Sequence, residues 1–240
     1  MTGRKLGLFG IVWLVAAWPE PAAAGTLSVS PIRLQLGDDG QAEVIRLSNL
    51  GGTSTLVQTS AFAWPDAATV DALEPTTEVL VVPPVFELGP DGSQIIRVAL
   101  RSQPSPDKEQ TYRLLITEVP TQFGNEQGAV SFAMQFSIPV FVTPDGAAPD
   151  PVWSLRQHAD GMALVITNQG SAHIKFEGVQ LLNGEGADPV LAIDGSEYVL
   201  AGQEHSWPLD LLATQLDGTL TLKAETNLGP LETTVSWPEG

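Results

Sequence analysis

Short alternating runs of apolar and polar residues dominate the chain from Thr26 onward. Successive side chains of a strand point to opposite faces of its sheet, so this period of two predicts β-strands. Val, Ile, Leu, Phe and Thr fill the runs, and no segment keeps the 3.6-residue period of a helix. In the first half we predict seven strands, at residues 26–36, 41–48, 53–63, 76–82, 93–102, 110–119 and 129–143.

The run from 128 to 144 contains the longest of these predicted strands. Its apolar positions recur at every second residue, and the residues between them are small or polar. The apolar face consists of Val130, Phe132, Met134, Phe136 and Ile138. At roughly 3.3 Å per residue the predicted strand 129–143 spans about 45 Å, whereas strands usually have about 5 to 6 residues. It is therefore either an ordinary core strand or a strand whose apolar face is partly offered to another chain.

A proline-rich break separates a second set of strands from the first. Residues 143–151 contain three prolines and a glycine, which end the long strand and form a short, stiff connection. Beyond it we predict seven more strands, at residues 152–158, 162–168, 173–182, 190–193, 204–210, 219–226 and 231–237. The chain is therefore predicted to be all-β, with two immunoglobulin-like β-sandwiches, 25–146 and 147–240, that meet at an angle around a cleft.

The first 24 residues, 1–24, have the features of a secretory signal peptide. Arg4 and Lys5 precede an apolar segment, and Ala22, Ala23 and Ala24 provide a small-residue cleavage site. The apolar segment is shorter than the roughly 20 residues needed to cross a bilayer, so we expect an exported protein without stable membrane insertion. The chain has no cysteine, so its stability must come from burial and not from disulfides.

Charge and motif content argue against nucleic-acid binding and against catalysis. The chain has 28 acidic and 11 basic residues, a formal net charge of −17, and so repels phosphate backbones. It contains no G-x-S-x-G elbow, P-loop, dinucleotide fingerprint or calcium loop, and its three histidines lack zinc-site spacing. We therefore expect a non-enzymatic protein without cofactor or metal, and a carbohydrate-active enzyme or lectin is the least favoured interpretation.

Four segments of the first predicted sandwich carry motifs. Residues 30–34 read S-P-I-R-L, a strand with an arginine, and residues 82–92 are similar to a P-P-x-x-x-L-x-P-G motif. Residues 109–120 resemble an E-S-x-x-x-x-N-x-x-x-x-P-P signature, and residues 138–144 form the end of a long strand. In this order and spacing, the motifs resemble those of the periplasmic pilus chaperones of the chaperone-usher pathway, the PapD-like family.

The resemblance implies a specific function. Chaperones of this family lend a long strand to pilus subunits, which are incomplete sandwiches, until the next subunit replaces it. The apolar face from Val130 to Ile138 then fills the groove of the subunit. The implied partners are pilus or fimbrial subunits and an outer-membrane usher, in the periplasm, and self-association of the free protein is left open. The alternative is a structural pilin or secreted adhesion module, which is expected to be one incomplete sandwich.

The resemblance also implies an anchor for the terminal carboxylate of the subunit. In the family an arginine of the first strand holds that carboxylate in the cleft, and Arg33 occupies the matching position. A guanidinium suits this role because its planar fork donates two parallel hydrogen bonds and stays charged. The lysine that the family adds from the long strand is replaced by Pro139. We therefore suggest Lys175, predicted to face the cleft from the second sandwich, as the second cation.

A further departure concerns the contact between the two sandwiches. The family pairs a glutamate, matched here by Glu109, with an arginine near the end of the long strand. The residue at that second position is Thr143 in this chain. The sequence therefore does not identify the partner of Glu109, and rigidity between the sandwiches needs another source.

Overall fold

A computed structural model of the chain contains only β-strands as regular secondary structure in the part that it describes. The described residues are 27–37, 40–67, 72–101, 107–120, 133–158, 161–184, 188–209 and 219–236. Two sheets come from residues 27–142 and two from residues 151–236, which confirms the prediction of two β-sandwiches. Over these residues no helix is long and apolar enough to span a bilayer.

In its described ranges the first sandwich has ten strands in two sheets. The strands are β1 (Leu27–Ser30), β2 (Leu34–Leu36), β3 (Ala42–Asn49), β4 (Thr55–Ala63), β5 (Glu74–Pro75), β6 (Val79–Val82), β7 (Val85–Leu88), β8 (Ser93–Leu100), β9 (Gln110–Val119) and β10 (Gln135–Val142). One sheet has the order β1-β3-β8-β6, and the other has the order β2-β10-β9-β4-β5, with β7 also paired to β4. Among these pairs, only β2 and β10 run parallel.

The part of the second sandwich that the structure describes has seven strands in two antiparallel sheets. The strands are β11 (Pro151–His158), β12 (Gly161–Asn168), β13 (Ile174–Leu182), β14 (Pro189–Val199), β15 (Glu204–Leu209), β16 (Thr219–Thr226) and β17 (Gly229–Ser236). Their orders are β11-β12-β15 and β14-β13-β16-β17.

Each sandwich has its own apolar core between its two sheets. Ile45, Leu114 and Val140 lie in the first core, and Leu164 and Leu222 lie in the second, all without exposed surface. They come from alternating positions of their strands, as the period of two predicts. Burying each such side chain contributes about 1.5–3 kcal/mol, so two cores of this kind can stabilise a chain without disulfides.

The first predicted strand, residues 26–36, is in fact two strands in different sheets. β1 pairs with β3 in one sheet, and β2 pairs with β10 in the other. Pro31 lies at the crossing, where a residue without an N–H cannot continue a ladder of hydrogen bonds. The alternating pattern does not predict the crossing because Leu27 and Leu34 are both buried, each against the same core from a different side.

The same turn follows one strand in each sandwich, and a buried asparagine holds it. Asn49 ends β3 and Asn168 ends β12. Each accepts at Oδ1 the N–H of the residue two positions later, Gly51 or Gly170. Each donates from Nδ2 to three backbone carbonyls. These bonds satisfy backbone groups that the end of a strand would otherwise leave buried and unpaired.

The connection between the sandwiches is tied to the second of these turns. The N–H of Asp150 donates to Oδ1 of Asn168 at 3.0 Å, and the N–H of Ser171 donates to the carbonyl of Ala148 at 2.9 Å. Gly170 has no room for a side chain, because a Cβ there would lie 2.3 Å from the carbonyl oxygen of Ala148. The connection is therefore held against the second sandwich along its length.

A buried carboxylate completes the contact between the sandwiches. Oε1 of Glu109 accepts the backbone N–H and the Nδ1–H of His173, at 2.9 and 2.8 Å. Its Oε2 accepts the hydroxyl of Thr143 at 2.5 Å. The ring of His173 also stacks on Phe141, with the centroids 3.6 Å apart. A histidine of the second sandwich is thus the partner of Glu109 that the sequence leaves unidentified.

We expect Asn168→Ala to destabilise the second sandwich. The substitution leaves three buried carbonyls without their side-chain donor. Unsatisfied buried groups cost on the order of 1–3 kcal/mol each, partly relieved by water, so the free energy of unfolding should fall by about 2–4 kcal/mol. Urea unfolding measures the change, with the exposed neighbour Gln169→Ala as control. Equal effects of the two substitutions contradict this role of the asparagine.

We expect Glu109→Gln to weaken the contact between the sandwiches. Glutamine keeps the size of the side chain but removes the charge, and its amide group cannot accept both sets of hydrogen bonds. The free energy of unfolding should fall by about 1–3 kcal/mol, and X-ray scattering should show a wider range of interdomain angles. The control is Glu177→Gln, because that side chain is 58% exposed. A scattering profile identical to that of the parent protein would show that the carboxylate does not set the angle.

Candidate functional site

One edge of β10 is uncovered over most of its length. β9 pairs with all of β10, from Gln135 to Val142, but β2 pairs only with the stretch from Val140 to Val142. Within the described ranges, the backbone from Gln135 to Ile138 therefore has a neighbour on one side only. Such an edge is a template for pairing with a strand of another chain.

The free edge presents the backbone groups of alternate residues. The carbonyl of Met134 accepts a hydrogen bond from β9 at 2.8 Å, whereas the N–H of Thr143 donates to β2 at 3.1 Å. Because these two directions alternate along a strand, the backbone groups of Gln135, Ser137 and Pro139 point to the free edge. Pro139 has no N–H, so it removes no bond to β9, and its carbonyl faces the N–H of Leu34 at the start of β2.

The inward face of β10 packs against the core of the first sandwich. Ile138 is 4% exposed and belongs to that core, and Met134 and Phe136 are half-buried against it. Val130 and Phe132, the other two residues of the predicted apolar face, lie outside the described residues. Of the three that are described, Ile138 is thus the least available to another protein.

Aromatic rings from both sandwiches pack together where the sandwiches meet. Trp64 and Phe141 of the first sandwich are buried together with Leu200 of the second, and Tyr198 packs against them. Trp64 meets Tyr198 edge-on with the ring centroids 5.5 Å apart. The rings of Phe141 and Tyr198 are tilted, with centroids 5.7 Å apart. The contact between the sandwiches is therefore apolar and closely packed at this point.

Two cations approach the ring of Tyr198, one from each sandwich. The guanidinium carbon of Arg113 lies 3.7 Å from the ring centroid of Trp64 and 5.8 Å from that of Tyr198. Nζ of Lys175 lies 6.0 Å from the centroid of Tyr198. Lys175 also donates to Oε1 of Glu177 at 2.7 Å, and this hydrogen bond lowers the pKa of Glu177. The lysine named from the sequence is thus beside the cleft, but it already has a counter-ion.

Pro139 of β10 lies between Arg113 of β9 and the bend before β2 that contains Arg33. Pro139 is directly opposite Arg113, and Arg33 immediately precedes Leu34, which pairs with Val140. Val140 and Leu114 are buried in the core, so strand alternation places Pro139 and Arg113 on the opposite face of the sheet, toward the second sandwich.

Arg113 is the residue of this site that the sequence analysis missed. The motif of residues 109–120 contains it, but gives it no role. The sequence could have placed it through the pairing of β9 with β10. If Glu109 is set opposite Thr143 in an antiparallel pair, Arg113 falls opposite Pro139, as observed. Arg113 is half-buried, and burial lowers its pKa, while the nearby Tyr198 raises it.

Comparison with known proteins gives relatives of one kind. Residues 26–148 match the family of pili and flagellar-assembly chaperones, PapD N-terminal domain. The chain is 26% identical to the probable fimbrial chaperone YehC of Escherichia coli K12, over 71% of this chain and 72% of that protein. It is 23% identical to the chaperone protein FimB/FhaD of Bordetella pertussis, over 62% of this chain and 63% of that protein.

Solved structures of pilus chaperones in complex with their subunits have the same fold as this chain. A chain in the CsuC-CsuE chaperone-tip adhesion subunit pre-assembly complex of Acinetobacter baumannii superposes with a TM-score of 0.69 at 21% identity, covering 90% of this chain and 100% of that one. For the Salmonella enterica SafA pilin in complex with the SafB chaperone, the TM-score is 0.62 at 18% identity, covering 88% and 97%. Because the family match spans more than half of the sequence, and the two-sandwich fold agrees with it, this chain belongs to the PapD-like family of pilus-assembly chaperones.

Proposed function

We propose that this chaperone caps pilus or fimbrial subunits in the periplasm by lending them the free edge of β10. The observation that carries the proposal is the unpaired edge from Gln135 to Ile138 beside the half-buried Met134 and Phe136. Relatives support it, since YehC is a probable fimbrial chaperone and SafB has been solved with a pilin. Export through the predicted signal peptide and delivery to an outer-membrane usher belong to the same proposal.

Strand addition combines backbone pairing with side-chain burial. Gln135 offers an outward N–H and C=O, and Ser137 offers an outward N–H, whereas the carbonyl of Ser137 already accepts a long hydrogen bond of 3.5 Å from Nη1 of Arg113. Each new hydrogen bond contributes about 0.5–1.5 kcal/mol net. The side chains of Met134 and Phe136 face the groove, as do those of Val130 and Phe132 if the strand continues toward the N-terminus. Full burial of each contributes at most about 1.5–3 kcal/mol, less where the side chain is already partly covered. A slip of one residue turns the apolar face away, which fixes the register.

A carboxylate anchor is the second part of the proposal. Arg33 is exposed directly before β2, next to Pro139 at the end of the free edge, and forms no ion pair among the described residues. A strand added along the edge therefore ends near a free guanidinium. Lys175 is the candidate from the second sandwich, and its exposed ion pair with Glu177 is easily exchanged because such pairs contribute about 0–1 kcal/mol.

We expect Ser137→Pro to abolish capture of a subunit while the chaperone stays folded. The outward N–H of this residue is lost to the added strand, but no hydrogen bond between β10 and β9 is removed. Pro139 already shows that β10 accepts proline at an outward position. Phe136→Pro is the contrasting variant, because it removes an N–H directed at β9 and should destabilise the first sandwich by about 3 kcal/mol or more.

Each variant is co-expressed with the pilus subunit encoded by the gene next to that of the chaperone, and the yield of purified one-to-one complex is measured. Thermal unfolding and circular dichroism establish that Ser137→Pro is folded, and Ser137→Ala is the control that keeps the N–H. A folded Ser137→Pro protein that still yields the complex at the level of Ser137→Ala would show that the free edge of β10 is not the capture site.

We expect Arg33→Ala to weaken subunit binding at least about tenfold, because charge-assisted hydrogen bonds contribute about 1.5–3 kcal/mol. The same measurement on Lys175→Ala tests the second cation, and its expected loss is smaller because Glu177 already neutralises the ammonium. Arg156→Ala is the control, since that exposed arginine is paired with Glu204 in the second sandwich. Normal binding by Lys175→Ala removes the lysine from the site, and normal binding by Arg33→Ala removes the proposed anchor.

A further inference from the structure

We propose that the hairpin between β16 and β17 contacts the bound subunit through Leu228, an apolar residue at its tip. The inference rests on the proposed function and adds a segment of the second sandwich to its binding surface. Its evidence is the exposure of Leu228, the hydrogen bonds that fix the tip, and the place of the hairpin relative to the free edge of β10.

Leu228 is an apolar side chain that the fold leaves in water. It is 68% exposed and belongs to none of the three apolar clusters of the described residues. Turns favour Gly, Pro, Asn, Asp and Ser, so leucine is not the residue that the tip of a hairpin requires. Single exposed leucines are common, and exposure alone therefore gives Leu228 no role. What distinguishes this leucine is its position.

Hydrogen bonds hold the tip of the hairpin against β13. The N–H of Asn227 donates to the carbonyl of Lys175 at 3.0 Å, and Oδ1 of Asn227 accepts the N–H of Lys175 at 2.8 Å. Oγ1 of Thr226 accepts the N–H of Leu228 at 3.1 Å and donates to the carbonyl of Gly229 at 2.6 Å. The tip is therefore ordered before a partner arrives, which lowers the ordering cost of a contact with it.

The contacts between the sandwiches show on which side of the cleft the hairpin lies. Tyr198 of β14 meets Trp64, which directly follows β4. His173, directly before β13, stacks on Phe141 of β10. The step from β14 to β13 thus corresponds to the step from β4 toward β10 in the first sandwich. β16 is the next strand after β13, and β2 is the next strand after β10. The hairpin therefore lies on the side of β2 and the free edge.

Leu228 thus borders the place of an added strand. A strand on the edge from Gln135 to Ile138 continues the line of β2, which takes the same side of β10 from Val140 onward. The body of the subunit lies beside that strand, on the side of the cleft where the hairpin protrudes. An apolar side chain there gains free energy only when a partner removes it from water. The ligand of Leu228 is therefore an apolar patch of the subunit next to its paired strand.

The chain contains a matched leucine that is remote from this surface. Residues 49–51 and 227–229 are both Asn-Leu-Gly, and Leu50 is 69% exposed. Leu50 lies in the turn between β3 and β4, whereas the opposite end of β4 leads to Trp64 and the second sandwich. The same turn sequence and nearly the same exposure make Leu50 the control for each substitution at Leu228.

The first test labels single cysteines, since the chain has none of its own. Leu228→Cys and Leu50→Cys are purified alone and as the one-to-one complex with the pilus subunit encoded by the gene next to that of the chaperone. The rate at which a fluorescent maleimide labels the chaperone is then measured. We expect the complex to slow labelling at position 228 at least about tenfold and to leave labelling at position 50 within about twofold.

The second test measures affinity, by competition of each variant with the tagged parent chaperone for the same subunit. Leu228→Ser should bind about tenfold more weakly or worse, because the burial of a leucine side chain is lost. Leu228→Met should restore most of the binding, since methionine has a similar apolar volume. Leu50→Ser should bind like the parent protein. Urea unfolding should have the same midpoint for all of these proteins, because both leucines are exposed.

Salt separates this contact from the proposed carboxylate anchor. At about 1 M sodium chloride, charges are screened beyond about 3 Å, so the effect of Arg33→Ala should shrink. The loss caused by Leu228→Ser should persist, because burial of an apolar side chain does not depend on charge.

Three outcomes overturn the inference about Leu228. One is the same labelling rate at position 228 in the free chaperone and in the complex, whether water or a second copy of the chain surrounds the tip. Another is normal binding by a folded Leu228→Ser protein. The third is an equal loss for Leu228→Ser and Leu50→Ser, because position relative to the cleft then has no effect. If the parent protein itself forms no complex, the proposed chaperone function fails instead, so the two failures are distinguishable.

Discussion

The hydrogen bonding of β10 is the constraint on which the rest of the structure depends. β9 satisfies one side of the strand from Gln135 to Val142, but β2 covers the other side only at the end. β2 is short because the chain crosses between sheets at Pro31. The crossing at Pro31 thus limits the part of β10 that β2 covers. A second proline, Pro139, lies next to the uncovered edge.

The open edge and the cleft are held in a fixed relation by one carboxylate. Glu109 lies at the start of β9, Thr143 follows the end of β10, and His173 precedes β13, so their hydrogen bonds join both strands to the second sandwich. The turn at Asn168 ties the connection down as well. A strand bound along β10 therefore meets a cleft whose walls are already in place, which reduces the ordering cost of binding.

Sequence alone predicted the parts of this arrangement that depend on local pattern. The alternation of apolar residues placed β9 at its observed bounds and predicted two sandwiches. It did not predict the crossing at Pro31, because both halves of a crossing strand bury apolar residues. It also did not predict the short strand β7. Arg113 and His173 were missed for a different reason: each contacts residues distant in the sequence, and only the folded arrangement of the strands brings these residues together.

The open edge has a consequence for the behaviour of the free protein at high concentration. A backbone kept unpaired for a client is equally accessible to another copy of the same chain. The formal charge of −17 opposes that encounter, because two such molecules repel each other before their edges meet. Dissolved salt shortens the range of this repulsion to about 8 Å at physiological ionic strength. Repulsion between two acidic chains thus disfavours pairing between the uncovered edges of their β10 strands.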